Sequence, residues 1–156
     1  MYRSEQNWET FTTLGLGQHA FRAGDTLPQT TTESLFTIAG GRCLVKLMFG
    51  ECVTTVFSAT DPVLSVVANP TTGTSVDLAT TVDSKDLEVG GFLLVEGDGS
   101  ALVLSLAGGI IFAAGQRQFV VNVGTIDLVA GDSQTGSMEW HVFYVPLDIG
   151  AYIVEA

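Results

Sequence analysis

Wherever this chain carries a pattern, hydrophobic and polar residues alternate with a period of two, the period of a strand with one buried face. The alternation is clearest from Met138, where Met138, Trp140, Val142 and Tyr144 fall on one face and Glu139, His141, Phe143 and Val145 on the other. The first face suits a core. The second is polar at one end and apolar at Phe143 and Val145, so part of it is expected to be covered by another segment or another subunit. A Pro/Asp/Gly turn at Pro146, Asp148 and Gly150 follows, and a second β-segment occupies the last residues.

Upstream the punctuation is also that of strands. Leu35 to Ala39 is a strand, Gly40-Gly41 a turn, and Arg42 to Phe49 a strand in which Cys43, Val45 and Leu47 alternate with Leu44, Lys46 and Met48. Gly50 predicts a bulge or bend before Cys52 to Ser58 continues as strand. Asp61-Pro62 turns the chain into a strand over Val63 to Ala68. The polar stretch from Ser75 to Glu88 carries weaker strand signals and reads as including a long connection. Phe92 to Glu96 and Ala101 to Leu106 flank Gly97-Asp98-Gly99-Ser100, the strongest hairpin signal in the chain. Ile110-Ile111-Phe112, Phe119 to Asn122 and Thr125 to Val129 complete the series. No segment holds a capped helical stripe. About ten short strands at intervals of about eight to twelve residues predict an all-β domain, a jelly-roll-like sandwich or a barrel, over residues 34–156.

Residues 1–33 follow neither a helical nor a strict two-residue period. Trp8, Phe11, Leu14, Leu16 and Phe21 are spaced among Thr, Gly and Gln, and the segment ends in Thr30-Thr31-Thr32. One reading is an extended N-terminal arm whose apolar knobs bury in pockets of a partner, as aromatic anchors at interfaces do; a chain starting at Ser34 then keeps its fold. The other is a first strand paired into the main sheet.

At 156 residues the chain fits one domain with a sizeable core. Cys43 and Cys52 sit in an apolar, β-branched stretch without zinc-ligand spacing, so buried free thiols are expected ahead of a disulfide. The polar start of the chain lacks the apolar core of a signal peptide, and its apolar runs are too short to span a membrane, which predicts a protein made in a cytoplasm. The formal charge of -11 and six scattered basic residues exclude a phosphate-binding surface, so no nucleic-acid partner is expected. With 15% charged and 46% hydrophobic residues, much of the surface is uncharged, as in surfaces covered by other protein.

The chemistry-bearing residues are few. The two histidines are His19 and His141, and His141 has Glu139 as its same-face neighbour, an arrangement read as a half-exposed strand histidine hydrogen-bonded to a carboxylate. No nucleophile elbow, metalloprotease helix or phosphate loop is present. Glu96 with Asp98 and Asp83 with Asp86 sit in or beside turns, where Asp is expected for backbone reasons. No catalytic, cofactor-binding or metal-binding residue is expected, and no enzymatic activity.

Leu35-Phe36-Thr37-Ile38 followed by Gly40-Gly41-Arg42, the Gly50-Glu51-Cys52-Val53-Thr54 segment, Gly124-Thr125-Ile126-Asp127-Leu128, and Thr135-Gly136 leading through Trp140 to Tyr144-Val145-Pro146-Leu147-Asp148 and Gly150-Ala151 together span residues 35–156. In these features the chain resembles a family of small virion proteins of tailed bacteriophages, of the head decoration or cement type. The resemblance implies a non-enzymatic, β-rich homotrimer seated on the outer capsid surface, with the major capsid protein as partner and synthesis in the bacterial host cytoplasm. The acidic charge agrees with an outer position, away from packaged DNA. Trp8, Phe11, Leu14, Leu16 and Phe21 are then the expected capsid-binding residues, and Phe143, Val145 and Pro146 are expected near subunit contacts. The alternative is a tail or head-fibre accessory protein that binds a host surface glycan.

Overall fold

A computed structural model describes residues 15–57, 63–85, 87–105 and 117–156. The strands are β1 (Gln18–Thr26), β2 (Thr32–Ala39), β3 (Cys43–Phe57), β4 (Val63–Pro70), β5 (Val76–Asp83), β6 (Phe92–Leu94), β7 (Val103–Ser105), β8 (Phe119–Val121), β9 (Gly124–Ala130), β10 (Thr135–Pro146) and β11 (Tyr152–Glu155). They form an all-β sandwich of two antiparallel sheets. The first has the order β1-β10-β3-β6-β7, with β8 pairing the start of β3; the second has the order β11-β2-β9-β4-β5. Among the described residues no helix is long and apolar enough to cross a membrane.

The alternation read in β10 sets the core. Met138, Trp140, Val142 and Tyr144 are all buried, and they face Phe36, Ile38, Ile126 and Leu128 of the second sheet within one cluster. The Tyr144 hydroxyl donates to the carbonyl of Ile153 at 3.3 Å, joining β10 to β11 across the two sheets. In β2 the pairing with β9 slips between Ser34 and Phe36, so that Leu35 and Phe36 are both buried. Cys43 and Cys52 are buried free thiols on β3, as expected.

Gly50 makes no bulge: the β3–β10 register is regular from Phe49 to Cys52 and slips beyond it, between Cys52 and Thr54. β3 runs through it unbroken, and Gly50 stands opposite Trp140, where a Cβ would meet Met138 Cε at 2.8 Å and indole carbons at 3.0 Å. Its missing side chain makes room for the indole. The stretch after Ser75 holds a full strand, β5, at the edge of the second sheet. Its period is obscured because Leu78 and Ala79 are both buried where the β4–β5 register slips. The Gly97-to-Ser100 hairpin joins β6 to β7 as expected, with Gly97 and Gly99 at φ 78° and 77°.

For residues 18–33 the extended-arm reading is corrected, and the first-strand alternative is the one the chain adopts. β1 pairs with β10 from Gln18–Tyr144 to Thr26–Ser137, and Ala20, Arg22 and Leu27 are buried. Arg22 donates to the carbonyl of Ser34 at 2.6 Å and pairs with Glu33, clasping β1 of one sheet to β2 of the other. The Thr30-to-Thr32 run is a braced crossover between sheets, not a tether. Leu27 N–H donates to the Gly136 carbonyl at 3.0 Å, and Gln134 Nε2 donates to the Pro28 carbonyl at 2.9 Å. Trp8, Phe11, Leu14 and the strand expected over Ile110-Ile111-Phe112 fall outside the described residues.

Candidate functional site

The outward face of the first sheet carries an aromatic and histidine patch built by register alone. His19 of β1 stands opposite Phe143 of β10, which stands opposite Leu47 of β3; one row along, Phe21, His141, Phe49 and Leu94 line up across β1, β10, β3 and β6. The next row places Glu139 opposite Glu51, and Glu51 opposite Phe92. Alternation sends all of these side chains to the side opposite Trp140 and Val142.

The rings touch. His19 stacks on Phe143 with centroids 4.5 Å apart, His141 stacks on Phe49 at 4.8 Å, and Phe21 tilts against His141 at 5.0 Å. Phe49 meets Phe92 edge-on at 5.9 Å. His19 Nε2 lies 3.1 Å from His141 Nδ1, a hydrogen bond between the two rings. Burial, and next the neighbouring His141, hold the His19 imidazole below its ordinary pKa. His141 Nε2 faces Glu139 with 3.6 Å to Oε1, so the two residues are neighbours on one face as expected, but at a separation longer than a hydrogen bond. The ligand atoms of Glu51, Glu139 and His141 all lie within 4.8 Å of one another.

This surface is suited to contact with an apolar or planar partner and, at its polar end, with a cation. Among the described residues no serine, threonine or cysteine hydrogen-bonds either histidine, so no activated nucleophile is assembled here. The thiols offer none elsewhere. Burial raises both pKa values, and Cys52 Sγ is occupied with the carbonyls of Thr54 and Leu87 at 3.2 and 3.4 Å. Two further carboxylates serve the fold. Asp98 caps its own turn by accepting from the Ser100 hydroxyl and from the Ser100 N–H, the latter at 2.9 Å, and these two bonds, ahead of the nearby Arg117, hold its carboxyl low. Buried Asp127 accepts from Ser34 Oγ at 2.8 Å and Asn69 Nδ2 at 3.3 Å, bridging β2, β9 and β4.

The residues singled out from sequence are dispersed. Phe21 belongs to the patch and is 42% exposed, whereas Leu16 is exposed just before β1. Phe143 is half-buried under His19, Val145 is exposed one pair further along, and Pro146 ends β10 opposite Cys43. Beyond them the turn into β11 exposes Leu147 and Ile149, and β11 exposes Tyr152 and Val154. His19, Phe49, Phe92 and Glu51 were not singled out as a site. Their only sequence signal is the alternation of each strand, and the partners that make them a patch come from strands distant in sequence. Comparison with protein-family models, curated proteins and solved structures gives no match.

Proposed function

We propose that this protein is a non-enzymatic structural component of a tailed-phage virion, a capsid decoration protein that binds the outer face of the major capsid shell as a homotrimer and stabilises it. One observation supports this reading above others: exposed apolar side chains occur from Phe21 on β1 through Val145 to the β10–β11 turn, on a sandwich with only 15% charged residues whose histidines, among the described residues, hydrogen-bond to no serine, threonine or cysteine. Surfaces of that kind are covered by protein. In the proposed assembly Phe143, Val145 and Pro146, joined by Leu147 and Ile149, lie near the subunit contacts. Trp8, Phe11, Leu14, Leu16 and Phe21 grip capsid subunits, and many copies bind one shell at once.

Electron microscopy of the particle tests the proposal. Density for the trimer at three-fold positions on the head, with occupancy lowered in the full-length chain carrying Trp8→Ala and Phe11→Ala, is the expected result. Density on the tail alone, or none, overturns it. The second reading, a fibre accessory that binds a host glycan, draws on the rings beside Glu51 and Glu139, because sugars stack on ring faces and hydrogen-bond to carboxylates. Tail density with binding to host polysaccharide that Phe21→Ala abolishes would favour it.

A further inference from the structure

We propose that Glu51, Glu139 and His141 form a binding site for a divalent transition-metal ion of the zinc type, held on the outer face of the first sheet by one oxygen from each carboxylate and by His141 Nε2. The β3–β10 register places Glu51 directly opposite Glu139, and His141 follows two residues along on the same face. Like charges opposed across two strands are unfavourable. Here no lysine or arginine among the described residues pairs with either carboxylate. A cation between them removes the repulsion.

The histidine geometry points the same way. His141 Nδ1 is engaged with His19 Nε2 at 3.1 Å, and when His141 is the donor its Nε2 presents a lone pair to the two carboxylates. A cation placed among these acceptors satisfies all three. The opposite tautomer would direct an Nε2–H at Glu139 Oε1, but 3.6 Å is beyond hydrogen-bond length. Two donors that share a tetrahedral zinc ion at about 2.1 Å each are about 3.4 Å apart; the Glu139–His141 pair is near that span at 3.6 Å, and the three ligand atoms, all within 4.8 Å of one another, need a small side-chain rotation to close on the ion. The donor set, one imidazole with two carboxylates, suits zinc, manganese or ferrous iron more than calcium or copper(I). Phe21 and Phe49 pack against His141 and fix its ring. His19 acts as a positioning residue, because ligating histidines donate their second N–H to a fixed acceptor. Three protein donors leave one tetrahedral position for water or an incoming group.

The site is tested on the full-length protein, stripped with chelator and titrated with Zn2+ alone by calorimetry. One ion per chain is expected at micromolar concentration or below, with affinity reduced at least about tenfold by E51Q, E139Q or H141A. H19A should weaken binding about 10-fold to 100-fold, and H19Q, whose amide oxygen can accept from Nδ1, should restore most of it. Co2+ in place of Zn2+ should give the visible absorption of a tetrahedral site and broaden the His141 ring resonances of the wild-type protein, a reading that needs no variant to fold. Absence of stoichiometric Zn2+ binding, affinity unchanged by E51Q and E139Q together, or Co2+ that leaves the His141 resonances sharp overturns the proposal.

Discussion

Opposite each other across β3 and β10, Gly50 and Trp140 show how one residue's size is set by a neighbour distant in sequence. Adding a Cβ at Gly50 leaves 2.8 Å to the flexible end of Met138, which can move, and 3.0 Å to a buried indole, which cannot. Overpacking costs about 1–3 kcal/mol, while replacing glycine stabilises by about 0.4–1 kcal/mol through the unfolded chain. Gly50→Ala should therefore lower stability by about 1 kcal/mol or more, read from the urea midpoint at constant slope. The inward direction of Trp140 was legible in the alternation; the role of Gly50 was not, because a glycine in a strand looks the same whether it bends the chain or clears space for a partner. The two thiols make a second residue-scale prediction. Burial raises the pKa of Cys43 and Cys52 in the folded state, so the folded protein keeps protons that the unfolded chain releases above about pH 8.5. Their contribution to stability is fully present below that pH and is lost as pH rises above it. Labelling by a thiol reagent at pH 8 should be slow in the native protein and fast in denaturant; fast native labelling would contradict the burial.

At the scale of elements, β1 decides how the N-terminal region is to be understood. Its inward residues Ala20 and Arg22 are buried, and the Arg22 guanidinium holds the Ser34 carbonyl and Glu33 across the end of the sandwich. A charge-assisted hydrogen bond contributes about 1.5–3 kcal/mol, so Arg22→Met, which keeps the stem but loses the donors, should destabilise by about 2 kcal/mol. Amide exchange should quicken in Gln18–Thr26 more than in β9. For the same reason a chain starting at Ser34 should lose the native fold, with near-ultraviolet circular dichroism as the readout. Sequence periodicity missed β1 because its pairing slips between Arg22 and Asp25 and because a charged residue, Arg22, faces inward while an aromatic one, Phe21, faces out. The β2–β3 and β10–β11 turns are tied by Arg42, which donates Nε and a terminal nitrogen to Asp148 at 3.0 and 2.8 Å. These bonds hold the Asp148 carboxyl well below the usual carboxylate range. A depressed carboxyl contributes stability above its unfolded pKa of about 3.9 and loses it as pH falls further. Asp148→Asn should flatten that acid limb of the stability curve while leaving its neutral-pH fold intact.

Across the whole molecule, the fold class was legible because strand alternation and glycine-bounded turns are local signals, whereas the patch on the first sheet and the carboxylate–histidine cluster arise only when β1, β10, β3 and β6 are set side by side. Charge and apolar surface are separate properties of the assembled sandwich, and they make opposed contributions to association. A formal charge of -11 repels a second copy, and that repulsion is screened as salt rises above low ionic strength. The attraction comes from apolar side chains that remain in water, among them Val145, Leu147 and a fully exposed Ile149 at the β10–β11 turn. Burying a large aliphatic side chain contributes about 1.5–3 kcal/mol, repeated at each symmetric contact of a closed ring. The proposed trimer should therefore strengthen between low and physiological salt, the reverse of an assembly held by ion pairs. Ile149→Asp should dissociate it without loss of the circular dichroism spectrum, because Ile149 touches no core and an added carboxylate at each contact joins the existing repulsion. Sedimentation of the full-length protein at two salt concentrations distinguishes the outcomes: a trimer that Ile149→Asp leaves intact places the contact away from this turn, and a monomer at micromolar concentration in both salts removes self-association from the proposed function.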